Sequence, residues 1–321
     1  MKKPLTWIKL FVTLGVLAYL VYAVDPNRIW EAAKGAHGGW ILAAVALIPL
    51  NLAFGAWRWL TVLHLVMPEA GFMDALASML CGRSLGFFTP ARLGEYAGRV
   101  FYLDHPRKWE LVALTAAEQI PGMIWYLGCG LVALLYLRER AFVYPEAVTV
   151  ALLVVGVGGL VLLVAFLTGP AATYRLLTSL LPFQRLRSSL AFLTRLAARD
   201  IRLLLGITLL AYAVFSTQFF LLLRALTPTA EVATGYAGIA LVYMAKSVLP
   251  PVTIMDLGIR EGAAVFFLTP LGLPEAAAFN AAFLIFALNV ATPALLGLPF
   301  AWRLWRTPET APTVHGSTSD L

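Results

Sequence analysis

Five apolar stretches, at 40–60, 110–137, 146–168, 203–224 and 276–302, decide what this chain can fold into. Each is about as long as the ~20 residues a helix needs to cross the hydrocarbon core of a bilayer. Inside a bilayer only helices and closed barrels satisfy their own backbone, and runs of this length read as helices. The balance of residue types agrees: 60% of the 321 residues are hydrophobic and 13% are charged, too few charges to clothe a soluble globule of this size. The fold class is therefore an all-α polytopic membrane protein. The start, "MKKPLTWIKLFVTLGVLAYLVYAVDP", has the lysines of a signal peptide, but its apolar run is too long and no A-x-A site follows. It reads as a further membrane helix with its N-terminus in the cytoplasm. Cys81 and Cys129 lie within apolar segments and read as small packing residues without a disulfide.

Two more segments, 72–104 and 234–270, are apolar yet interrupted by prolines, glycines and charges. They read as copies of each other. "GRSLGFFTPARLGEYAGRVFYL" opens on Arg83-Ser84, passes Pro90, continues through Leu-Gly-x-x-x-Gly with Gly94 and Gly98, and closes on aromatics. "AKSVLPPVTIMDLGIREGAAVFFL" opens on Lys246-Ser247, passes Pro250-Pro251, and continues through Gly258 and Gly262 to its own aromatic run. These prolines and glycines set the geometry expected of two broken, re-entrant hairpins. With the N-terminus inside, the positive-inside rule keeps 92–108 and the arginine-rich 171–202 cytoplasmic, and brings Arg303 and Arg306 back to the same side. Each half then holds three crossings and one hairpin, and the halves are inverted, an arrangement found in transporters. One transmembrane domain over 1–306 is expected, with repeat 1 at about 1–140 and repeat 2 at about 145–306, before a disordered tail at 307–321.

The net charge of +7 gathers largely between Arg175 and Arg202, a membrane pattern that gives no reason to invoke nucleic acid. That basic, leucine-rich stretch reads either as an amphipathic segment on anionic lipid or as an ordinary cytoplasmic loop. Arg92, Glu95 and Arg99 share one helical face after Pro90, while Asp256, Arg260 and Glu261 stand together in the second copy. A charge at mid-bilayer costs at least ~2.5 kcal/mol on insertion scales, so these groups are expected to be paired, wet, or both. One reading makes them salt bridges that lock the hairpins. The other makes a polar cavity, with Arg83, Arg92, Arg99, Lys246 and Arg260 holding a lipid phosphate. In that cavity Glu95, Glu118, Asp256 and Glu261 balance charge or exchange protons. Arginine suits phosphate because its fork donates two parallel hydrogen bonds, and a half-helix beginning after each proline would add its own N–H groups.

Glu118, followed by Gln119 and Pro121, lies too deep in its span to reach water easily, and either faces the same cavity or is protonated. Asn289 and Pro293 in the last span echo it. Arg58, between Trp57 and Trp59, reads as a snorkelling interfacial anchor. "GRSLG" (82–86) matches the G-x-S-x-G pattern of serine hydrolases but sits in a membrane helix, where its glycines suit close packing instead. There is no P-loop, H-E-x-x-H, paired-cysteine site or dinucleotide fingerprint, so neither a cofactor nor a metal is expected.

"TPARLGEYAGR" and "LPPVTIMDLGIRE" resemble the two signature segments of the lysylphosphatidylglycerol synthase transmembrane region family, the flippase-like half of the multiple peptide resistance factor. The resemblance implies a membrane domain that moves an aminoacylated or polyprenyl-linked lipid between leaflets. Pro90, Arg92, Gly94, Glu95 and Arg99 would fill the first signature, and Gly258, Arg260 and Glu261 the second. Two departures stand out. Only a short polar tail follows, so lysyl transfer is not expected, and "TIMD" stands where glycines often precede the second Leu-Gly. The expectation is a lipid translocase of the cytoplasmic membrane, not an enzyme, with both termini inside. Its partner is a membrane phospholipid or polyprenyl-linked lipid, with room for a homo-oligomer or a lipid-modifying enzyme beside it. The rival is an accessory protein whose charges are structural.

Overall fold

The computed structural model describes residues 18–19, 21–22, 25–89, 92–103, 105–137, 146–168, 198–249 and 257–306. The expected N-terminal membrane helix, most of the basic 171–202 stretch, the tail, Pro90, Pro250 and Asp256 fall outside these residues, wholly or nearly so. Among the described residues all regular structure is helical. A short amphipathic helix, α1 (Pro26–Lys34), is followed by α2 (Gly38–Ala46) and α3 (Ile48–Leu63), which run on as one long span. The first interrupted segment forms a helical hairpin, α4 (Phe72–Phe87) and α5 (Leu93–Tyr102). Then α6 (Lys108–Ala117) and α7 (Gln119–Tyr136) make a second long span, and α8 (Glu146–Thr168) follows.

The order then repeats. A 29-residue helix, α9 (Ala198–Leu226), leads into a second hairpin, α10 (Val232–Val248) and α11 (Ile259–Leu268). A last long span follows, α12 (Glu275–Phe286), a π-helical turn (Ala287–Ala291) and α13 (Thr292–Arg306). Four of these spans, Gly38–Leu63, Lys108–Tyr136, Arg199–Leu226 and Glu275–Leu304, are long and apolar enough to cross a membrane.

Three of the four spans are interrupted, and each interruption has a proline close by. Pro49 enters α3 just after the break at Leu47. Pro121 follows the break at Glu118, and Pro293 follows the π-turn. A proline cannot donate the i→i−4 hydrogen bond, so the backbone yields nearby. These irregular turns sit where side chains can reach inward, as irregular backbone at membrane depth requires.

Helices far apart in the chain interlock crosswise. Helix α13 of the second half packs on α4 of the first hairpin, and α7 of the first half packs on α10 of the second. Glycines allow both crossings. Gly297 of α13 lies against the Leu80 carbonyl and Ser84, and Gly130 of α7 against Met244. Helix α9 touches both halves, through α2, α3, α7, α10 and α12. Two apolar cores result. One joins α7, α9, α10, α11 and α12 around Phe219, Tyr243 and Met244; the other joins α3, α4 and α6 to the start of α9 around Trp59, Met79 and Leu114.

Candidate functional site

The first hairpin is held by glycines facing glycines. A Cβ on Gly98 would lie 2.6 Å from the Gly82 Cα, and one on Gly94 would strike the Leu85 carbonyl. The glycines of "GRSLG" thus serve close helix packing, and Ser84 is buried against α13. The turn between the arms passes through Arg92, whose φ of 57° and ψ of 25° are left-handed, a conformation that costs a non-glycine residue roughly 1–2 kcal/mol. In the second hairpin the corresponding work is done by Gly258, at φ 91°.

From α5 a chain of alternating charges runs inward. Glu95 accepts from Arg92 at 2.9 Å through one oxygen and from Arg99 at 2.8 Å through the other. Arg99 also bonds Glu118, whose second oxygen accepts from Arg58 Nε at 2.7 Å. Arg99 is 1% exposed, and its guanidinium lies 4.8 Å from the centre of the Trp59 ring, whose own N–H donates to Ser78. Arginine–carboxylate pairs buried this deeply persist because each charge neutralises the next; the removal of one member leaves an uncompensated charge.

Arg58 is therefore no interfacial anchor. Its side chain is 16% exposed and tied to Glu118; of its flanking tryptophans only Trp57 is exposed, and Trp59 is fully buried. The reading failed because the Trp-Arg-Trp pattern carries no record of a carboxylate sixty positions later. Glu118 itself is not on the cavity wall but behind it, with both oxygens bonded to arginines.

A cavity of about 180 Å³ lies between the two hairpins and α9. Among the described residues, six cationic side chains line it: Arg58, Arg83, Arg92 and Arg99 from the first half, Lys246 and Arg260 from the second. Among the described residues Glu95 is the one carboxylate on its wall. All five expected cations thus meet at one place, though 147 positions or more separate those of the first segment from those of the second. The opposite wall is aromatic, with Tyr126, Tyr212, Phe215 and Tyr243 packed ring against ring. At one end three amides close on one another. Asn51 and Asn289 both donate to Gln218, Asn51 donates to Asn289, and Gln218 donates to the Ala44 carbonyl beside the α2–α3 break. Asn289 was legible as an echo of Glu118 and Gln119. Asn51 and Gln218 were missed, although an amide inside an apolar run is a signal in itself.

The second hairpin differs from its expected role in two ways. Glu261 does not line the cavity; it caps α11 by accepting the Gly258 N–H at 2.6 Å. In the first hairpin Thr89 Oγ1 likewise takes the Gly94 N–H, at 2.6 Å. One amide at the start of each half-helix is therefore occupied from within the chain, not held open for an anion. Gly262 also turns its back on the cavity, lining an apolar groove against α8.

Apolar spans, two interrupted hairpins and a buried cationic cavity between them define a multi-pass membrane protein built around an internal polar site. The chain belongs to the lysylphosphatidylglycerol synthase TM region family, whose model matches residues 6–297. No curated protein and no solved structure matches it. Membership carries a lipid-related membrane function.

Proposed function

We propose that this protein moves an anionic lipid, aminoacylated or polyprenyl-linked, between the leaflets of the cytoplasmic membrane without altering it chemically. The observation that carries the reading is the cavity: among the described residues, six cations and one carboxylate on a wall enclosed by apolar spans. A headgroup phosphate crossing the bilayer needs such a place, because a bare anion in hydrocarbon loses its hydration with nothing in exchange. At about 180 Å³ the space suits a small polar headgroup and not a pair of acyl chains, which would stay in lipid during passage. The repeated order of span, hairpin and span supports two halves inverted about the cavity, with both chain ends cytoplasmic.

The test is translocation of fluorescent phosphatidylglycerol in proteoliposomes, read by quenching from outside. Wild-type protein is expected to expose inner-leaflet lipid to the quencher, and an Arg83→Gln, Lys246→Gln variant to slow this at least about tenfold. Quenching confined to the outer leaflet, with folded wild-type protein present and with aminoacylated and polyprenyl-linked lipids behaving alike, would reject translocation. One observation favours the rival, a non-transporting accessory protein: Arg92, Glu95, Arg99, Glu118 and Arg58 form one alternating chain of ion pairs in which both carboxylates are fully engaged. Under that reading every cavity variant leaves lipid distribution untouched and lowers stability alone.

A further inference from the structure

The cavity's two sides are not electrically alike. On the first-hairpin side Glu95 and Glu118 each use both oxygens on arginines, so Arg99 spends both terminal nitrogens on carboxylates that are already fixed. On the second-hairpin side Arg260 is 5% exposed and, among the described residues, neither its Nε nor its Nη1 has a hydrogen-bond acceptor, whereas Arg99 lacks one at Nε alone. Glu261 caps α11 through Oε2, while its Oε1, itself without a hydrogen-bond partner, forms a long ion pair with Arg260 Nη1 at 4.0 Å. The guanidinium rests 5.7 Å from the centre of the Phe286 ring, and Tyr243 lines the same cavity. It also occupies the second position of α11, where the positive end of the helix dipole adds to its charge.

Resting on the reading that the cavity receives an anion, we propose that Arg260 is the residue that takes it, and that Arg92 and Arg99 form a pre-assembled scaffold facing it. A guanidinium nine-tenths buried with unmatched donors at Nε and Nη1, on two edges of its plane, is ready for an acceptor, and a phosphate oxygen can be taken at either edge. Tyr243 would add a third donor from its hydroxyl. On the facing wall Arg99 cannot turn to a ligand without leaving Glu95 or Glu118 bare in a dry site. Affinity therefore concentrates on the second hairpin, and the first supplies the surrounding positive potential. The chemistry recognised is a phosphate, whether on a lipid or free.

The experiment measures binding, not transport. Purified protein is titrated with dioleoyl phosphatidic acid in neutral detergent micelles and, separately, with inorganic phosphate, and occupancy is read by native mass spectrometry and thermal shift. Wild type is expected to bind, and Arg260→Gln to bind at least about tenfold more weakly. Arg260→Lys, which keeps the charge and the apolar stem but loses the Nε and Nη1 donors, is expected to weaken binding severalfold; it carries the test if the glutamine variant does not fold. Arg99→Gln is expected to lower the melting temperature of ligand-free protein while its folded fraction loses less affinity than Arg260→Gln does. Wild-type affinity in both Arg260 variants, or a larger loss in folded Arg99→Gln, overturns the assignment. Binding of phosphatidic acid that excess phosphate fails to displace identifies a lipid headgroup. Arg260-dependent binding of inorganic phosphate alone would uphold the site and sink the translocase reading instead.

Discussion

Glu118 has no exposed surface, and its two oxygens join arginines from two different elements, α3 and α5. Glu118→Gln would leave Arg58 and Arg99 short of a counter-charge in a buried setting. The expected loss is about 3–5 kcal/mol of stability, the range for breaking one member of a buried ion pair. Thermal unfolding of the purified variant in nanodiscs checks it; a melting temperature within error of wild type would mean the network holds nothing together. The depth of Glu118 could be counted along its helix, so its abnormality was legible in the sequence. Its partners were not, because a pairing across sixty residues is decided by which helices cross, and Arg58 between two tryptophans fits a membrane surface equally well. The converse holds for Arg83, Arg92, Arg99, Lys246 and Arg260: charges inside apolar segments had to share a polar site, and one cavity holds all five.

At the scale of elements, the helices could be read almost to their ends from apolar runs and from proline, and the hairpins from the repeated Leu-Gly-x-x-x-Gly. What the repeat hid is a shift of phase. Helix α5 starts at Leu93, directly before its motif glycine, whereas α11 starts at Ile259, directly after its own. The difference comes from how each chain turns, through left-handed Arg92 in one case and through Gly258 itself in the other. Glu261, three residues past its motif glycine, is at the capping position of α11, whereas Glu95, one residue past Gly94, bridges arginines. Within the first hairpin Gly98→Val should abolish folded protein, since the new side chain meets backbone that cannot rotate away. Gly128→Ala, at a site with nothing within 4 Å, should be tolerated. Monodisperse yield on size-exclusion chromatography separates the two; equal yields would show that the hairpin arms can part.

For the whole molecule, the crosswise packing of α13 on α4 and of α7 on α10 makes each half depend on the other. Apolar periodicity says which residues avoid water but not which helix they choose, so this exchange left no trace in the sequence. If the halves are inverted, the exposed turns ahead of the two hairpins, at Glu69 and Thr229, lie on opposite sides of the membrane. With Cys81 and Cys129 replaced, Glu69→Cys and Thr229→Cys should react with an impermeant maleimide from opposite faces of intact cells, the first only after lysis. Labelling of both from outside would exclude the inversion. The glycine seam between α4 and α5 then has a mechanical meaning. Backbones in direct contact leave no play for one arm to bend against the other, so the first hairpin can turn only as a single lever. Any stroke it makes must be taken up where it bears on α13, and Gly297 is the smooth point of that bearing.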